Sequence, residues 1–157
     1  MNIFILDEDI VLCARYHVDK HVVKMILETT QLLNNAYIKH NANLKPIYRE
    51  THKSHPCSLW ASETSSNFEW LVALGMELCK EYSYRYGKVH KCQDILSYFS
   101  DRGFNLPVGG LTKFVQCMPG QYHSDNAVIS YRNYYKFEKH LLAKWTKREV
   151  PIWWNEI

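Results

Sequence analysis

The residues best suited to chemistry in this 157-residue chain form a polar row near its N-terminus. The row recurs at steps of four and three residues and consists of His17, His21, Lys24, Glu28, Gln31 and Asn35. On an α-helix, with about 100° between successive residues, these positions fall within an arc of roughly 80°. Apolar residues occupy most of the remaining circumference, so the pattern predicts a helix that the protein largely encloses.

The polar row has three interpretations. It could be the solvated side of an ordinary amphipathic helix. It could instead line a cleft, where His, Lys and Glu in a low dielectric perturb one another's pKa values as acid–base catalysis requires. A third interpretation is a metal site, because His17 and His21 form an i, i+4 ligand pair with Glu28 two turns later, although the HExxH context is missing. The narrow arc and the use of His favour the cleft.

Helices must position these groups, because strand patterns are nearly absent. Asn2–Leu6 is apolar and predicts a strand or an extended lead-in, and Asp7–Asp9 offers caps for a first helix. Helical periodicity then continues to about Ile38, with a break near His17.

Later segments supply the remaining elements. Pro56 stands at the tolerated first-turn position of a helix, and Gly87 ends a strongly amphipathic helix over 67–86. A shorter helix follows, and Ser124 is predicted to cap a long last helix. The fold class predicted is all-α: a compact helical fold of about four helices, with residues 1–157 in a single domain.

Composition restricts the class of protein. The sequence has no apolar run long enough for a membrane span and no secretion signal, so a soluble, cytoplasmic protein is predicted. Five cysteines, an odd number without a CxxC pair, favour free thiols in a reducing cytosol over a disulfide framework or a zinc knuckle. A net charge of +3 permits nucleic-acid or nucleotide binding without arguing strongly for it.

A second candidate group lies in the segment HKSHPCSLW, just before a predicted helix. His52, His55 and Cys57 are close together there. His and Cys at a helix N-terminus could bind an anion or supply a nucleophile. The commoner alternative is a loop His beside a buried Cys.

Aromatic and basic residues alternate in two later segments, EYSYRYGKVHK and YRNYYKFEKHLLAKWTKRE. This interleaving is typical of surfaces that contact phosphate and stack bases. Much of the aromatic content must nonetheless form the core, and Lys or Arg on a helix exterior is usually plain solvation.

Four segments of the chain, NIFILDEDI, YHVDKHVVKMILE, HPCSLW and RYGKVH, resemble those of a family of small tailed-phage proteins, and that match names no activity. The order of elements is also similar to the phage pyrimidine-dimer DNA glycosylase family, called endonuclease V, whose members are small and all-α. In that family an Asp-Gln-His precedes the catalytic Glu by seven residues from the His. Here Asp19–His21 reads DKH and stands the same seven residues before Glu28.

The resemblance implies a specific chemistry. In the family, the α-amine exposed by loss of the initiator Met attacks C1′ of the damaged nucleotide, forms a Schiff base and allows β-elimination, with the Glu assisting. This chain departs from the pattern at Asn2, before which the initiator Met is usually retained, and at Leu27 and Gln31, which replace the family's arginines. Lys24 beside His and Glu in a dry cleft is an alternative nucleophile.

The function predicted is therefore nucleic-acid base excision by a DNA glycosylase, with or without lyase activity, at an N-glycosidic bond in a cleft lined by the first long helix. Glu28 would stabilise positive charge at the sugar, and His21 would hold or protonate the leaving base. His17 and Asn35 would orient the ligand or Glu28, and Lys24 completes the predicted catalytic group. No cofactor and no metal are predicted.

The predicted partner is DNA or a nucleotide, whose base must be flipped out of a duplex. Phosphate contacts are predicted for Arg85, Lys88, Arg132, Lys144 and Arg148. Base or ligand contacts are predicted for Asn35, His55, Trp60 and Tyr135, the last two as stacking platforms. One alternative is a non-catalytic phage protein that binds a nucleotide, a nucleic acid or a host protein in the same cleft. A second is a metal-dependent hydrolase. A phage-encoded chain would act in the host cytoplasm.

Overall fold

The computed structural model describes residues 1–156 as an all-helical protein. Its six α-helices are α1 (Ile10–Tyr16), α2 (Asp19–His40), α3 (Pro56–Glu63), α4 (Ser65–Tyr86), α5 (Gln93–Asp101) and α6 (Ala127–Glu138). Three short 3-10 turns lie at Gly120–Tyr122, His140–Leu142 and Ile152–Trp154. Over residues 1–156 there is no strand, which confirms the all-α prediction with six helices rather than about four. Within the same range no helix combines the length and apolarity needed to cross a membrane.

The first helical region is divided near His17, as predicted. Asp9 begins α1 by accepting a hydrogen bond from the Leu12 N–H at 2.9 Å. His17 and Val18 are extended, so α2 starts at Asp19 in a new direction. The break allows α2 to pass through the centre of the fold, where it packs against α3 and α4.

Helix α4 comes unusually close to α2 at Gly75. A Cβ atom at this glycine would lie 3.1 Å from Thr29 Cγ2 and 3.0 Å from Leu96 Cδ2, which is too close for most side chains. The contact fixes the turn of α2 that carries Glu28, the neighbour of Thr29. At its other end α4 stops at Gly87, whose φ of +64° confirms the predicted glycine stop.

The N-terminal segment 2–6 has no regular secondary structure and is buried. The side chains from Ile3 to Leu6 belong to the hydrophobic core. Arg132 of α6 donates from Nε to the Leu6 carbonyl oxygen at 2.8 Å. The start of the chain is therefore held inside the protein and cannot swing freely.

The last helix is shorter than predicted. Asn126, not Ser124, caps it, because its Oδ1 accepts hydrogen bonds from the N–H groups of Val128 and Ile129 at 2.9 and 3.2 Å. The helix ends at Glu138. The chain beyond it returns to the break between α1 and α2, where the Trp145 indole N–H donates to the Tyr16 carbonyl oxygen at 2.8 Å.

Candidate active site

Glu28 lies where the start of the chain meets the middle of α2. The Asn2 N–H donates to its Oε2 at 3.2 Å, and the α-amine of Met1 lies 3.9 Å from its Oε1. Glu28 is 9% exposed, and the Met1 side chain is 3% exposed. A carboxylate and a chain terminus therefore meet at the edge of the core.

Lys24 is one helical turn before Glu28 on α2, and its Nζ lies 3.6 Å from the same Oε1 atom. The Lys24 side chain is 64% exposed, so it reaches Glu28 from the solvent side. Two amines thus stand next to one carboxylate oxygen. The seven-residue spacing pointed to Glu28, and the family resemblance implied that an N-terminal amine acts beside it.

The Asn2 side chain anchors the start of the chain. Its Nδ2 donates to the Cys117 carbonyl oxygen at 2.9 Å, and its Oδ1 accepts from the Ile3 N–H at 2.8 Å. The Tyr131 hydroxyl lies 3.0 Å from the same Oδ1. Buried amide groups with satisfied hydrogen bonds hold a unique position. Sequence reasoning missed this role of Asn2, whose one visible signal was a polar residue at the head of an apolar segment.

His17 and His21 lie in the core rather than on an open cleft. His17 Nδ1 is 2.7 Å from the Cys13 carbonyl oxygen, so this nitrogen carries the proton. His21 Nδ1 is 2.6 Å from the Tyr135 hydroxyl, and the His21 ring stacks on Phe4 with 4.6 Å between centroids. Burial lowers the pKa of His17 to about 4 and that of His21 to about 3, so both rings are neutral near pH 7.

The polar row therefore divides into four buried members and two more accessible ones, Lys24 and Gln31. Four of its members are buried, namely His17, His21, Glu28 and Asn35, and this burial does not suit a solvated helix face. Asn35 Nδ2 donates to Ser58 Oγ at 2.9 Å and to the Thr51 carbonyl oxygen. Asn35 and Ser58 line a polar surface cavity of about 250 Å³, and Gln31 lines a neighbouring one of about 400 Å³.

His55, Cys57 and Cys117 form a cluster beside the chain terminus. His55 begins α3, because its Nδ1 accepts the Cys57 N–H at 3.1 Å. The Cys57 thiol donates to Cys117 Sγ at 3.5 Å and lies 3.9 Å from Asn2 Oδ1. The hydrogen bond to Cys117 raises the pKa of Cys57, with burial adding to the effect, and the same bond lowers the pKa of Cys117.

This cluster is also where the chain could bind a metal ion. Over residues 1–156 it is the group of three His, Cys or carboxylate side chains whose ligand atoms all lie within 4.8 Å of one another. The structure does not bring His17, His21 and Glu28 together in this way. Cys117 was not among the predicted site residues, because it lies in a long loop 60 residues after Cys57.

Among known families, the model described as pyrimidine dimer DNA glycosylase matches residues 1–94 of the chain. The matched part is more than half of the chain and contains Glu28, the N-terminal segment and helices α1 to α4. The chain belongs to the pyrimidine dimer DNA glycosylase family. Comparisons with curated proteins and with solved structures gave no significant match. The distant resemblance to endonuclease V is thus confirmed at the level of the family.

The five cationic residues predicted to contact phosphate differ in how far they are exposed to solvent, and two of them form ion pairs with Glu81. Arg85 is enclosed, with Nε donating to Glu81 at 2.9 Å and Nη1 to Asp19 at 3.1 Å, which suits an internal structural role. Arg148 pairs with the same Glu81 at 2.5 Å.

The other three predicted cations lie nearer to solvent. Arg132 donates to Asp7 Oδ2 at 2.8 Å and is partly exposed. Lys88 and Lys144 are exposed and have no ion pair among residues 1–156, so they are free to contact a polyanion.

The two aromatic residues predicted as stacking platforms are buried in the free protein. Trp60 is 4% exposed, and its indole N–H donates to the Lys113 carbonyl oxygen at 2.9 Å. Tyr135 is fully buried, and its hydroxyl contacts His21. In this conformation neither ring presents a face to a nucleotide base, and both pack in the aromatic core.

Proposed function

We propose that this chain is a DNA glycosylase in which the N-terminal α-amine attacks C1′ of a nucleotide and Glu28 assists. The observation that carries the proposal is the position of the chain terminus. The Met1 amine is 3.9 Å from Glu28 Oε1, and the Asn2 N–H donates to Oε2 at 3.2 Å. Membership of the pyrimidine dimer DNA glycosylase family supports the same class of reaction.

The groups at this site have the roles that the reaction needs. The amine lone pair forms a bond to C1′ while the N-glycosidic bond breaks, and the base leaves with the electron pair of the broken bond. The Glu28 carboxylate stabilises positive charge that develops at the sugar and accepts a proton from the attacking nitrogen. The sugar ring then opens to a Schiff base, which allows loss of the C2′ proton and β-elimination of the 3′ phosphate.

The geometry accommodates either form of the N-terminus. A retained Met1 leaves its own amine beside Glu28 Oε1. Removal of Met1 converts the Asn2 nitrogen, already 3.2 Å from Oε2, into the free α-amine. The Asn2 side chain holds this nitrogen in place in both cases through its bonds to Cys117 and Ile3.

Lys24 is the competing nucleophile, since its Nζ is 3.6 Å from Glu28 Oε1. The Lys24 side chain is exposed, so fixing it in one conformation costs more conformational entropy than fixing a chain terminus that already packs on the core. We therefore place Lys24 as a phosphate or leaving-group contact.

His21 and His17 act as positioning residues in this proposal. The His21 ring stacks on Phe4, which belongs to the segment that carries the amine. His17 packs edge-on against the same Phe4 ring, with 6.3 Å between centroids.

In a duplex substrate, the target nucleotide must be flipped out of the helix so that C1′ of its sugar can reach the amine.

Borohydride trapping on a duplex with an abasic site tests the proposal. The wild-type chain should give a covalent adduct, and peptide mapping by mass spectrometry should place it at the N-terminal residue. Lys24→Ala should retain the adduct, and Lys20→Ala on the exposed face of α2 serves as the matched control. An adduct on the Lys24 peptide would assign the nucleophile to Lys24. No adduct at any protein concentration would overturn the proposed reaction.

A further inference from the structure

The imidazole of His55 and the thiols of Cys57 and Cys117 have no role in the reaction proposed above, in which Cys117 contributes only its backbone carbonyl oxygen. Two thiols and an imidazole nevertheless converge on one point, from the start of α3 and from the loop that follows α5. Cys13, Cys79 and Cys92, the other three cysteines, are buried elsewhere as free thiols. The cluster is thus a distinct arrangement rather than a general feature of the cysteines.

We propose that His55, Cys57 and Cys117 bind a soft divalent cation, with Zn²⁺ as the expected ion. Thiolate and imidazole ligands favour zinc over calcium or magnesium, which prefer oxygen. Two sulfurs on one tetrahedral zinc, at about 2.3 Å each, stand roughly 3.8 Å apart. The Cys57 and Cys117 Sγ atoms are already 3.5 Å apart, so the ion needs only a small adjustment of either side chain.

The cluster is open to solvent on one side and buried on the other. Cys57 is fully buried, whereas His55 and Cys117 are partly exposed, so an ion would enter from the side of these two residues. In the metal-free protein, Nδ1 of His55 accepts the Cys57 N–H. A metal that uses this lone pair displaces a helix cap, which contributes far less free energy than a zinc–thiolate site.

The cluster borders the start of the chain. Cys57 Sγ is 3.9 Å from Asn2 Oδ1, and the Cys117 carbonyl oxygen accepts from Asn2 Nδ2 at 2.9 Å. An ion bound to Cys57 and Cys117 would therefore pull on the Asn2 anchor, which holds the nitrogen beside Glu28. This consequence rests on the proposed function: occupancy would withdraw the nucleophile from Glu28 and inhibit the reaction.

Titration with Co²⁺ alone tests the site without any activity measurement. In the presence of a non-thiol reductant, the wild-type protein should develop thiolate-to-cobalt charge-transfer absorption that saturates at one equivalent and disappears when Zn²⁺ is added. Cys57→Ser and Cys117→Ser should each weaken binding by at least the roughly 10- to 100-fold that loss of an outer-shell partner causes. Cys79→Ser, a buried cysteine outside the cluster, should bind as the wild type does.

His55→Asn separates the ligand role from the helix cap. Asn is a good N-cap residue, so α3 is retained while the imidazole is lost. The variant should fold as judged by circular dichroism and should bind Co²⁺ at least about 10-fold more weakly. Because Cys117 is partly exposed, Cys117→Ser provides a folded variant even where Cys57→Ser fails to fold.

Three results bear on the proposal separately. Absence of the charge-transfer band in the wild type, or an unchanged band in both Cys→Ser variants, overturns the site. With the band present, one equivalent of Zn²⁺ should reduce borohydride trapping by the wild type at least 10-fold, and Cys117→Ser should be insensitive. Trapping that continues at full rate in the zinc-loaded protein overturns the inhibition. If the metal-free protein gives no borohydride adduct, only the proposed reaction is overturned, because cobalt binding is measured by absorption and does not depend on activity.

Discussion

The Tyr131 hydroxyl lies 3.0 Å from Asn2 Oδ1, although 129 residues separate them in the chain. The same hydroxyl accepts the Cys117 N–H at 3.1 Å and lies 2.8 Å from the Val115 carbonyl oxygen. Tyr131 is fully buried on α6. One phenol therefore links α6, the loop before it and the second residue of the chain, and it fixes the distance between the chain terminus and Glu28.

Tyr131→Phe should destabilise the fold by about 1–3 kcal/mol, because it leaves buried hydrogen-bonding groups without a partner. It should also slow trapping more than this loss of stability explains, since Asn2 loses part of its anchor. Urea denaturation and single-turnover trapping measure the two effects. Tyr134 is three residues further along α6, and its hydroxyl makes no hydrogen bond among residues 1–156. Tyr134→Phe should therefore change neither the stability nor the trapping rate. Equal trapping by the two variants would contradict the anchoring role.

Glu28→Gln isolates the charge of the carboxylate, because the amide oxygen can still accept the Asn2 N–H. The rate of adduct formation should fall by about 10²–10⁴-fold, the usual size of a general acid–base contribution. The fold should survive, as circular dichroism would show. Glu77→Gln, which removes the carboxylate that pairs with the exposed Lys80, is the matched control. A near-normal rate in Glu28→Gln would exclude Glu28 from the chemistry.

Local signals in the sequence were sufficient for several features. The break near His17, the stop at Gly87 and the start of α3 at Pro56 each follow from one or two neighbouring residues. The spacing of Asp19–His21 to Glu28 also led to the right family. These features need no knowledge of what packs against them.

Features that depend on distant partners were not predictable. The Asn2 anchor needs Cys117 and Tyr131, 115 and 129 residues further along the chain. The sequence also could not tell an exposed aromatic platform from a buried one, and Trp60 and Tyr135 are buried. Arg85 pairs with Asp19, 66 residues earlier, and that pairing explains why an arginine in a basic segment is enclosed.

The buried histidines predict how stability depends on pH. His17 and His21 stay neutral when folded, with pKa values of about 4 and 3, but titrate near 6.5 when unfolded. The unfolded chain thus binds more protons below pH 6.5. Each histidine should lower the free energy of unfolding by roughly 1.4 kcal/mol per pH unit from about pH 6 down to its folded pKa.

Replacement of His17 isolates this contribution, because Gln can still donate to the Cys13 carbonyl oxygen. His17→Gln should remove about 1.4 kcal/mol per pH unit from the slope between pH 6 and pH 4.5. Urea denaturation at several pH values measures it. His140→Gln, at an exposed position, is the control. A slope that His17→Gln leaves unaltered would show that the ring does not remain neutral in the fold.

The ion-pair network around Glu81 predicts an unequal effect of its two arginines. The Arg85 side chain is fully buried and also donates to the carbonyl oxygens of His17 and Arg15. Arg85→Ala should cost about 3–5 kcal/mol, because buried acceptors and the Glu81 charge lose their partner. Arg148→Ala should cost less, since its side chain is 25% exposed. Chemical denaturation at pH 7 distinguishes them, and equal costs would contradict the burial argument.

Exposed lysines should set the salt dependence of DNA binding. Lys88 and Lys144 are free of ion pairs over residues 1–156, whereas Arg85 is enclosed. A duplex binder loses affinity steeply with salt, and each lysine that contacts a phosphate contributes about 0.9 to the slope of log K against log salt. Lys88→Ala and Lys144→Ala should therefore each flatten the slope by about 0.9 in fluorescence-anisotropy titrations. Lys80→Ala, whose Nζ is paired with Glu77 at 2.7 Å, is the control. A slope near zero for the wild type would instead favour a buried nucleotide pocket without duplex contacts.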